Sequence, residues 1–197
     1  MNLHQRIKKA TQDYHQKIEQ TPLLKKLIHR QACLADYKNL LLKYYTFIYP
    51  CEQEVCRLER SEFNFKDRLK NVFLQHDLSI LGVQADHFIA LKYSNDIPPL
   101  SNKGHILGYF YVMEGATLGG QILLPIIDNI LSLSIPKANS YFSGYGRSTH
   151  IKWQEFCNHL NKYSKDERMV KDAIDAAIAT FTCFDKWLSL KTEEMTT

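Results

Sequence analysis

Apolar residues recur along most of this chain at steps of three and four, which is the spacing of residues on one face of an α-helix. The first such pattern begins at Leu3 and stops near Thr21-Pro22. Segments rich in proline, serine and asparagine separate the later patterns, and we interpret these segments as connections. The later patterns predict helices over residues 34–58, 66–81 and 103–131, the last running past Pro125, and two more helices after Arg147.

No pair of segments shows the period of two that is typical of paired β-strands. The chain has 197 residues, of which 45% are hydrophobic, and this is enough for one sizeable core. We therefore expect an all-α fold with a single domain over residues 1–197. The broadest apolar face lies on the last predicted helix and consists of Val170, Ile174, Ala177, Ile178, Phe181, Phe184 and Leu188.

Charge, cysteine content and hydropathy exclude several classes of protein. The 25 basic and 21 acidic residues are scattered and give a net charge of +4, so no basic stripe indicates nucleic-acid binding. The five cysteines form no CxxC pair, which argues against a disulfide framework and a structural zinc site. No apolar run approaches the roughly 20 residues that a membrane span needs. These features predict a cytoplasmic protein that binds neither nucleic acid nor membrane.

The predicted helix over 103–131 contains an unusual number of glycines, including those in the stretch YVMEGATLGGQ. Each glycine inside a helix costs about 1 kcal/mol relative to alanine. At 100° per residue, Gly108, Gly115 and Gly119 fall within about 40° of one another and form one bare stripe. Such a stripe lets a flat ligand approach the backbone, and it also permits close packing of another helix. The spacing alone leaves both interpretations open.

A histidine with two polar neighbours lies on the first predicted helix. Thr11, His15 and Glu19 are spaced by four residues, so all three project from one face. A half-buried histidine whose second ring nitrogen is held by a carboxylate or water is a suitable axial ligand for haem iron. Most single histidines on helices are not ligands, so this pattern also leaves a purely structural role open.

Two motifs resemble those of a known family. ATQDYHQKIE, near the start, resembles the proximal-helix motif of bacterial haem oxygenases of the group that supplies biliverdin to bacteriophytochromes. LGYFYVMEGATLGGQIL resembles the distal-helix motif of the same family. The two motifs occur in the family's order and about 100 residues apart, and the resemblance extends over most of the chain.

The resemblance implies an all-helical fold in which haem lies between a proximal helix and a kinked, glycine-rich distal helix. His15 would be the axial ligand of the iron, and Thr11 and Glu19 would orient its ring. Gly115, Gly119 and Gly120 would be the catalytic elements, because they bring the distal backbone close to the face of the iron that binds oxygen.

The reaction that the resemblance implies is oxidative cleavage of haem to biliverdin, carbon monoxide and ferrous iron. Haem is then both cofactor and substrate, O2 is the oxidant, and the electrons come from a separate reductase or ferredoxin. A bacteriophytochrome is a candidate acceptor of the biliverdin. The distal motif offers neither histidine nor arginine, which fits a reaction at the porphyrin itself rather than peroxidase-type chemistry.

Some positions depart from the family's pattern, and others are candidate partners of the haem propionates. Animal-type members carry an aspartate that organises the distal waters at the position of Ala116, and bacterial members commonly lack it, so the resemblance leaves open how this chain holds water there. Lys8 matches one of two proximal lysines that bind the haem propionates, whereas Gln12 occupies the other position. Lys8 and Arg147 are the candidate propionate partners, although lysines on an amphipathic helix are mostly solvated.

Three aromatic residues are further candidates for haem binding. Tyr111 and Phe181 could line the apolar pocket, although ordinary core packing predicts the same burial. Tyr145 could reach the haem edge from its glycine-flanked loop or could cap a turn. Glu114 precedes the first glycine of the distal motif, and we expect it to be structural, since one residue turns the helix by 100°.

Two other classes of function stay open at this stage. A haem carrier or sensor would share His15 and the pocket but would not turn haem over. A non-haem enzyme of similar architecture could be a di-iron oxidase or a thiaminase-like hydrolase. The absence of any ExxH pair weighs against the di-iron oxidase. Cys157 or Cys183 could serve as the nucleophile of a hydrolase.

Overall fold

The computed structural model describes residues 1–58, 63–131 and 137–190. The described residues contain α-helices and two short 3-10 turns, at Lys66–Arg68 and Gly146–Ser148, and no β-strand. The all-α prediction is confirmed, and the single domain over 1–197 stays a prediction. The helices are α1 Leu3–Ile18, α2 Pro22–Ile28, α3 Leu34–Leu58, α4 Asn71–Ile80, α5 Ala85–Ala90, α6 Lys103–Leu131, α7 Ser140–Ser143, α8 Thr149–Asn161 and α9 Glu167–Ser189.

The sequence signal at Thr21-Pro22 marks the start of a helix as well as a stop. Helix α1 ends at Ile18, and α2 begins with Pro22 in its first turn, where proline's missing N–H and fixed φ are tolerated. Thr21 is buried, and its hydroxyl donates to the carbonyl of Ile18 at 2.7 Å. After this short turn α2 packs against α3, α6 and α9, and Leu24 of α2 reaches the cavity described below.

The helix predicted over 66–81 is divided, and this prediction is wrong at its start. A 3-10 turn covers Lys66–Arg68, Leu69 is extended, and α4 begins at Asn71. The reason is a buried carboxylate from α3. Glu52 accepts hydrogen bonds from the backbone N–H of Lys70 at 2.6 Å and of Asn71 at 2.9 Å, which satisfies the first donors of α4. A cap from 18 residues away leaves no local sequence signal.

Helix α6 packs along α9, and two of its glycines make the close approach possible. A Cβ atom at Gly104 would lie 2.6 Å from the Cβ of Asp172, and a Cβ at Gly108 would clash with the backbone carbonyl of Ala173. Gly108 therefore serves helix packing, which is one of the two interpretations that its spacing allowed. Pro125 lies inside α6 without ending it. Helix α6 also packs against α2, α3, α7 and α8, so it is a central element of the fold.

Helix α1 is anchored at its N-terminus by the end of α8. Asn2 caps the first turn, while the backbone N–H groups of Leu3 and His4 donate to Ser164 at 2.9 Å and Asn161 at 3.0 Å. Farther along, Lys17 forms a 2.6 Å ion pair with Asp185 of α9. These contacts place the face that carries His15 across from the middle of α6.

Helix α6 is long and apolar enough to cross a membrane, judged by length and composition, with a mean hydropathy of 1.3 over its best window. The core helix of a soluble protein meets the same criterion. Here α6 packs on α9 and carries the fully buried Glu114, which is paired with two cations.

Candidate functional site

A cavity of about 110 Å³ lies between α1 and α6. Helices α2, α3, α7 and α9 also contribute to its lining, and the lining residues with polar side chains are His15, Tyr44 and Tyr141. The lining residues are His15, Ile18, Leu24, Tyr44, Val112, Met113, Ala116, Gly119, Gly120, Leu123, Tyr141, Phe142, Phe181 and Phe184.

His15 stands at the mouth of this cavity. Its side chain is 62% exposed, which is more than the half-burial expected from the sequence. The ring meets Phe181 edge-on with 5.9 Å between centroids, and its Nδ1 atom lies 3.5 Å from Oε1 of Glu19. With Nδ1 facing the carboxylate, Nε2 is the nitrogen left for a ligand or a metal. The structure therefore brings His15, Glu19 and Phe181 together.

Thr11 is not part of this group. It is buried one turn before His15, and its hydroxyl donates to the backbone carbonyl of Ile7 at 2.9 Å. Such a bond within the helix occupies the hydroxyl hydrogen. The structure thus directs Thr11 into the packing of α1 rather than toward the imidazole of His15.

The three glycines proposed as catalytic have three different surroundings. A Cβ atom at Gly119 would meet nothing within 4 Å, and this residue lines the cavity. Gly120 also lines the cavity, but a Cβ there would lie 2.7 Å from the carbonyl oxygen of Phe142, so its small size serves the packing of α7. Gly115 lies outside the lining, and a Cβ there would make ordinary contact with Trp153 at 3.8 Å. Gly119 is therefore the position with free backbone facing the space opposite α1.

The two candidate propionate partners are exposed and lie outside the cavity lining. Lys8 is on the solvent face of α1, and its charge, after burial, is the second cause that lowers the pKa of His4. Arg147 lies in the 3-10 turn Gly146–Ser148. Neither side chain is brought near His15 by a described contact.

Phe181 and Tyr111 face different parts of the core. Phe181 is buried, lines the cavity and touches His15. Tyr111 instead packs against Trp153, with ring centroids 5.6 Å apart, and burial raises its pKa to about 12. Of the two residues that could line the pocket, Phe181 does so, whereas Tyr111 lies outside the lining and has the ordinary core packing that was the alternative.

Tyr145 is held by a buried charged group instead of the cavity. Its hydroxyl donates to Oε1 of Glu114 at 2.7 Å and accepts from the Lys70 ammonium at 2.6 Å. Glu114 is fully buried and also pairs with Arg68 at 2.5 Å and Lys70 at 2.7 Å. Tyr145 is therefore engaged away from the proposed haem edge, and Glu114 has the surroundings of a structural residue.

Several lining residues have no distinguishing signal in the sequence. Tyr44 and Phe184 occur among many other aromatic residues of amphipathic helices, where residue type does not separate a cavity wall from ordinary core. Tyr141 and Phe142 come from the four-residue helix α7, inside a segment that we interpreted as a connection. Only the three-dimensional packing of α7 against Gly120 brings them to the site.

The two thiols proposed for a hydrolase are poorly suited to nucleophilic chemistry. Cys157 and Cys183 are buried, and burial raises the pKa of each to about 11. A thiol with a raised pKa is inert, because the thiolate is the reactive form. Among the described residues, no group of three or more His, Cys, Asp or Glu side chains could hold a metal ion, so the di-iron interpretation gains no support either.

Comparison with known proteins gives a consistent family assignment. The family model described as Heme oxygenase matches residues 1–190. A haem oxygenase from Leptospira interrogans has a similar structure with a TM-score of 0.77 and 15% identity, covering 96% of this chain and 99% of that chain. Haem oxygenase-1 from the cyanobacterium Synechocystis, solved in complex with haem, has a TM-score of 0.67 and 19% identity, covering 94% of this chain and 92% of that chain.

The two structural matches are too distant in sequence to show more than the fold, and comparison with curated protein sequences gave no match. The family model carries the assignment, because it spans nearly the whole chain. This chain belongs to the haem oxygenase family and is an enzyme of haem degradation.

Proposed function

We propose that this chain binds haem between His15 and Gly119 and cleaves it to biliverdin, carbon monoxide and ferrous iron. The observation that carries the proposal is the cavity itself, which has an imidazole on its α1 wall and unobstructed backbone at Gly119 on its α6 wall. The proposed oxidant is O2, and the proposed electron donor is a separate reductase or ferredoxin. A cytoplasmic location and delivery of biliverdin to a bacteriophytochrome stay predictions.

The residues that line the cavity are chemically suited to binding haem. Apolar walls suit a porphyrin ring, and an imidazole with its Nδ1 beside a carboxylate suits iron as an axial ligand. When bound, haem supplies the iron at which O2 is activated and the carbon bridge that is cleaved. A cavity of about 110 Å³ is smaller than the roughly 300–1,000 Å³ of most ligand pockets. We therefore expect α1 and α6 to move apart when haem binds.

Each wall residue has a distinct proposed task. Glu19 would hold Nδ1 of His15 and so fix the direction of Nε2, while Phe181 would restrict rotation of the ring by its edge-on contact. Gly119 would leave room above the opposite face for O2 and water. With Ala116 in the lining, no carboxylate projects from that position of α6. Lys8 and Arg147 stay candidate partners of the propionates.

The proposal is tested with His15→Ala and a matched control, His150→Ala, at an exposed histidine of α8 outside the cavity. We expect His15→Ala to lose the Soret spectrum of a histidine-bound haem and to bind haem at least tenfold more weakly. The control should bind as the unmodified protein does. With reductant and O2, the unmodified protein should lose its Soret band as biliverdin appears.

Two outcomes would contradict the proposal. Unchanged haem affinity and spectrum in His15→Ala would show that another residue binds the iron. A stable Soret band in the unmodified protein under reductant and O2 would instead identify a haem carrier or sensor, which is the alternative that shares the same cavity.

A further inference from the structure

Helix α7 is a single turn, Ser140–Ser143, that supplies Tyr141 and Phe142 to the lining of the cavity. One turn of helix is not stable by itself, because its few internal hydrogen bonds do not offset the entropy lost in forming it. Within the described part of the chain, its N-cap residue Asn139 makes no side-chain cap bond. The position of α7 therefore depends on contacts with the rest of the molecule.

A buried carboxylate of α4 supplies the missing cap. Asp77 is fully buried, and its Oδ1 and Oδ2 atoms accept from the backbone N–H groups of Ser140 and Tyr141, each at 2.9 Å. These are the first two backbone donors of the turn, and a carboxylate at this end of a helix also interacts favourably with the helix dipole. Because both carboxylate oxygens are engaged, the two bonds fix the direction of α7 as well as its distance from α4.

Two further hydrogen bonds hold the residues just before α7. The Tyr37 hydroxyl of α3 donates to the backbone carbonyl of Ala138 at 2.7 Å. Asp128 of α6 accepts from the side-chain amide of Asn139 at 2.6 Å. Helices α3, α4 and α6 therefore all hold the start of this turn.

The end of α7 is fixed against α6. The Gln121 side chain donates to the carbonyl of Ser143 at 2.9 Å, and Gly120 leaves room for the carbonyl of Phe142, from which a Cβ would be only 2.7 Å away. Gly144 then ends the turn with a φ of 55°, a backbone conformation that favours glycine. A shift of α7 along α6 would break these contacts.

The side chains of α7 belong to a group of aromatic rings that line the cavity. Tyr141 meets the ring of Tyr44 edge-on with 5.3 Å between centroids, and the Phe142 ring lies 6.0 Å from the same ring. Phe184 of α9 is 4.9 Å from Tyr44 on the same measure. Close-packed side chains transmit a displacement to their neighbours, so the position of α7 affects this whole part of the lining.

We propose that Asp77 is a positioning residue that sets the seating of haem through α7 and so determines which carbon bridge of the porphyrin is cleaved. This inference rests on the proposed function for its substrate. With His15 and Gly119 at the two faces of the porphyrin, the aromatic side chains of α7 meet its edge and oppose its rotation about the iron. None of the described lining residues comes from α4, so Asp77 acts only through α7.

The first test measures amide hydrogen exchange in the chain without haem. In Asp77→Asn one oxygen is still an acceptor, but the side-chain NH2 group faces the other backbone donor. We expect the protection of the Ser140 and Tyr141 amides to fall at least about tenfold. Unchanged protection of both amides would overturn the proposal, because α7 would then be held without Asp77.

The second test determines the seating of haem in the loaded protein. Proton NMR of the haem methyl groups distinguishes orientations of the porphyrin, and chromatography of the biliverdin isomers identifies the cleaved bridge. We expect one isomer to predominate in the unmodified protein, and its ratio to the other isomers to fall about fivefold or more in Asp77→Asn, with a smaller change in turnover rate. Tyr37→Phe keeps the ring and loses one bond to the same segment, so it should lower the ratio by less.

A matched control separates the seating of haem from a general loss of stability. Leu160 is a fully buried residue of α8 outside the described lining, and Leu160→Ala should lower Tm by roughly 5–10 °C. Its isomer ratio and its protection of the Ser140 amide relative to the core amides of α9 should match those of the unmodified protein. An unchanged isomer ratio in Asp77→Asn, or an equal fall in Leu160→Ala, would overturn the proposal.

The two proposals fail in different ways. If the unmodified protein does not bind haem, the proposed function is wrong, while hydrogen exchange still measures the hold of Asp77 on α7. If the unmodified protein binds haem without turnover, the haem methyl signals still show whether Asp77→Asn changes the orientation of the porphyrin. Normal turnover with the same orientation in both proteins would contradict the role of Asp77 alone.

Discussion

Glycines of α6 that look equivalent in the sequence differ in what surrounds them. Gly108 faces the backbone of α9, Gly120 faces the backbone of Phe142, and Gly119 faces open space. The bare stripe predicted from helical geometry is therefore divided between packing and the cavity. Spacing along a helix gives the direction in which a residue faces, but it does not show whether another helix or a ligand lies in that direction.

Alanine substitutions at Gly119 and Gly120 should separate these two roles. Gly119→Ala adds a methyl group to the cavity, so the protein should keep or slightly increase its stability, by up to about 1 kcal/mol, while haem turnover falls. Gly120→Ala should lower the free energy of unfolding by about 1–3 kcal/mol, because the new Cβ would lie 2.7 Å from the carbonyl oxygen of Phe142. Thermal unfolding and single-turnover spectroscopy measure both effects. Normal turnover in Gly119→Ala would argue against this wall as the oxygen-binding side.

Apolar periodicity predicted where the long helices lie, but it often did not predict where a helix begins or which residues contact it. Helices α3 and α6 agree with the predicted ranges 34–58 and 103–131 because long amphipathic patterns carry strong signals. The start of α4 was missed because Glu52 caps it from another helix. The surroundings of Tyr145 were missed for the same reason, since its partners Glu114 and Lys70 lie far away in the sequence.

The buried group formed by Glu114, Arg68 and Lys70 fixes α6 against the segment that precedes α4. Glu114→Gln would leave two buried cations with a weaker partner, and breaking such a pair costs about 3–5 kcal/mol. We therefore expect a loss of about 3 kcal/mol in urea unfolding. The control is Glu155→Gln, which removes a half-exposed partner of Arg68 and should cost less than about 1 kcal/mol. Equal losses in the two variants would mean that the buried pairs add nothing to the stability of this junction.

At the scale of the whole molecule, one buried carboxyl should make global stability depend on pH. The pKa of Glu52 is raised from 4.5 to about 7 by burial in the folded protein. The Glu52 carboxyl therefore contributes fully to the free energy of unfolding below about pH 4.5. This contribution is lost as the pH rises to about 7, because the unfolded chain releases the Glu52 proton at a lower pH than the folded protein does.

The pH dependence of stability is measured as a difference between two proteins, so that the contributions of other titratable groups cancel. The free energy of unfolding of the unmodified protein relative to Glu52→Gln should fall by about 2–3 kcal/mol between pH 5 and pH 8. Urea unfolding of both proteins across this range gives the value. A difference that stays constant, or that grows as the pH rises, would show that the Glu52 carboxyl is not protonated in the folded protein near neutral pH.

The cavity depends on the packing of the whole molecule, since α1, α3, α6, α7 and α9 each supply part of its wall. Resemblance to the family's motifs made His15 and the glycine-rich helix candidates for the haem site, and the family assignment is shown by the match over residues 1–190. The aromatic part of the lining, with Tyr44 and Tyr141, depends on how distant helices pack and could not be derived from the sequence alone. Its volume of about 110 Å³ is smaller than that of most ligand pockets, and we expect α1 and α6 to move apart when haem binds.

A crystal structure of this chain with haem would test the central claim most directly. We expect the iron to be bound by Nε2 of His15, with Nδ1 beside Glu19 and the backbone of Gly119 facing the opposite side of the porphyrin. Haem bound through a different residue, or seated away from the space between α1 and α6, would contradict the account.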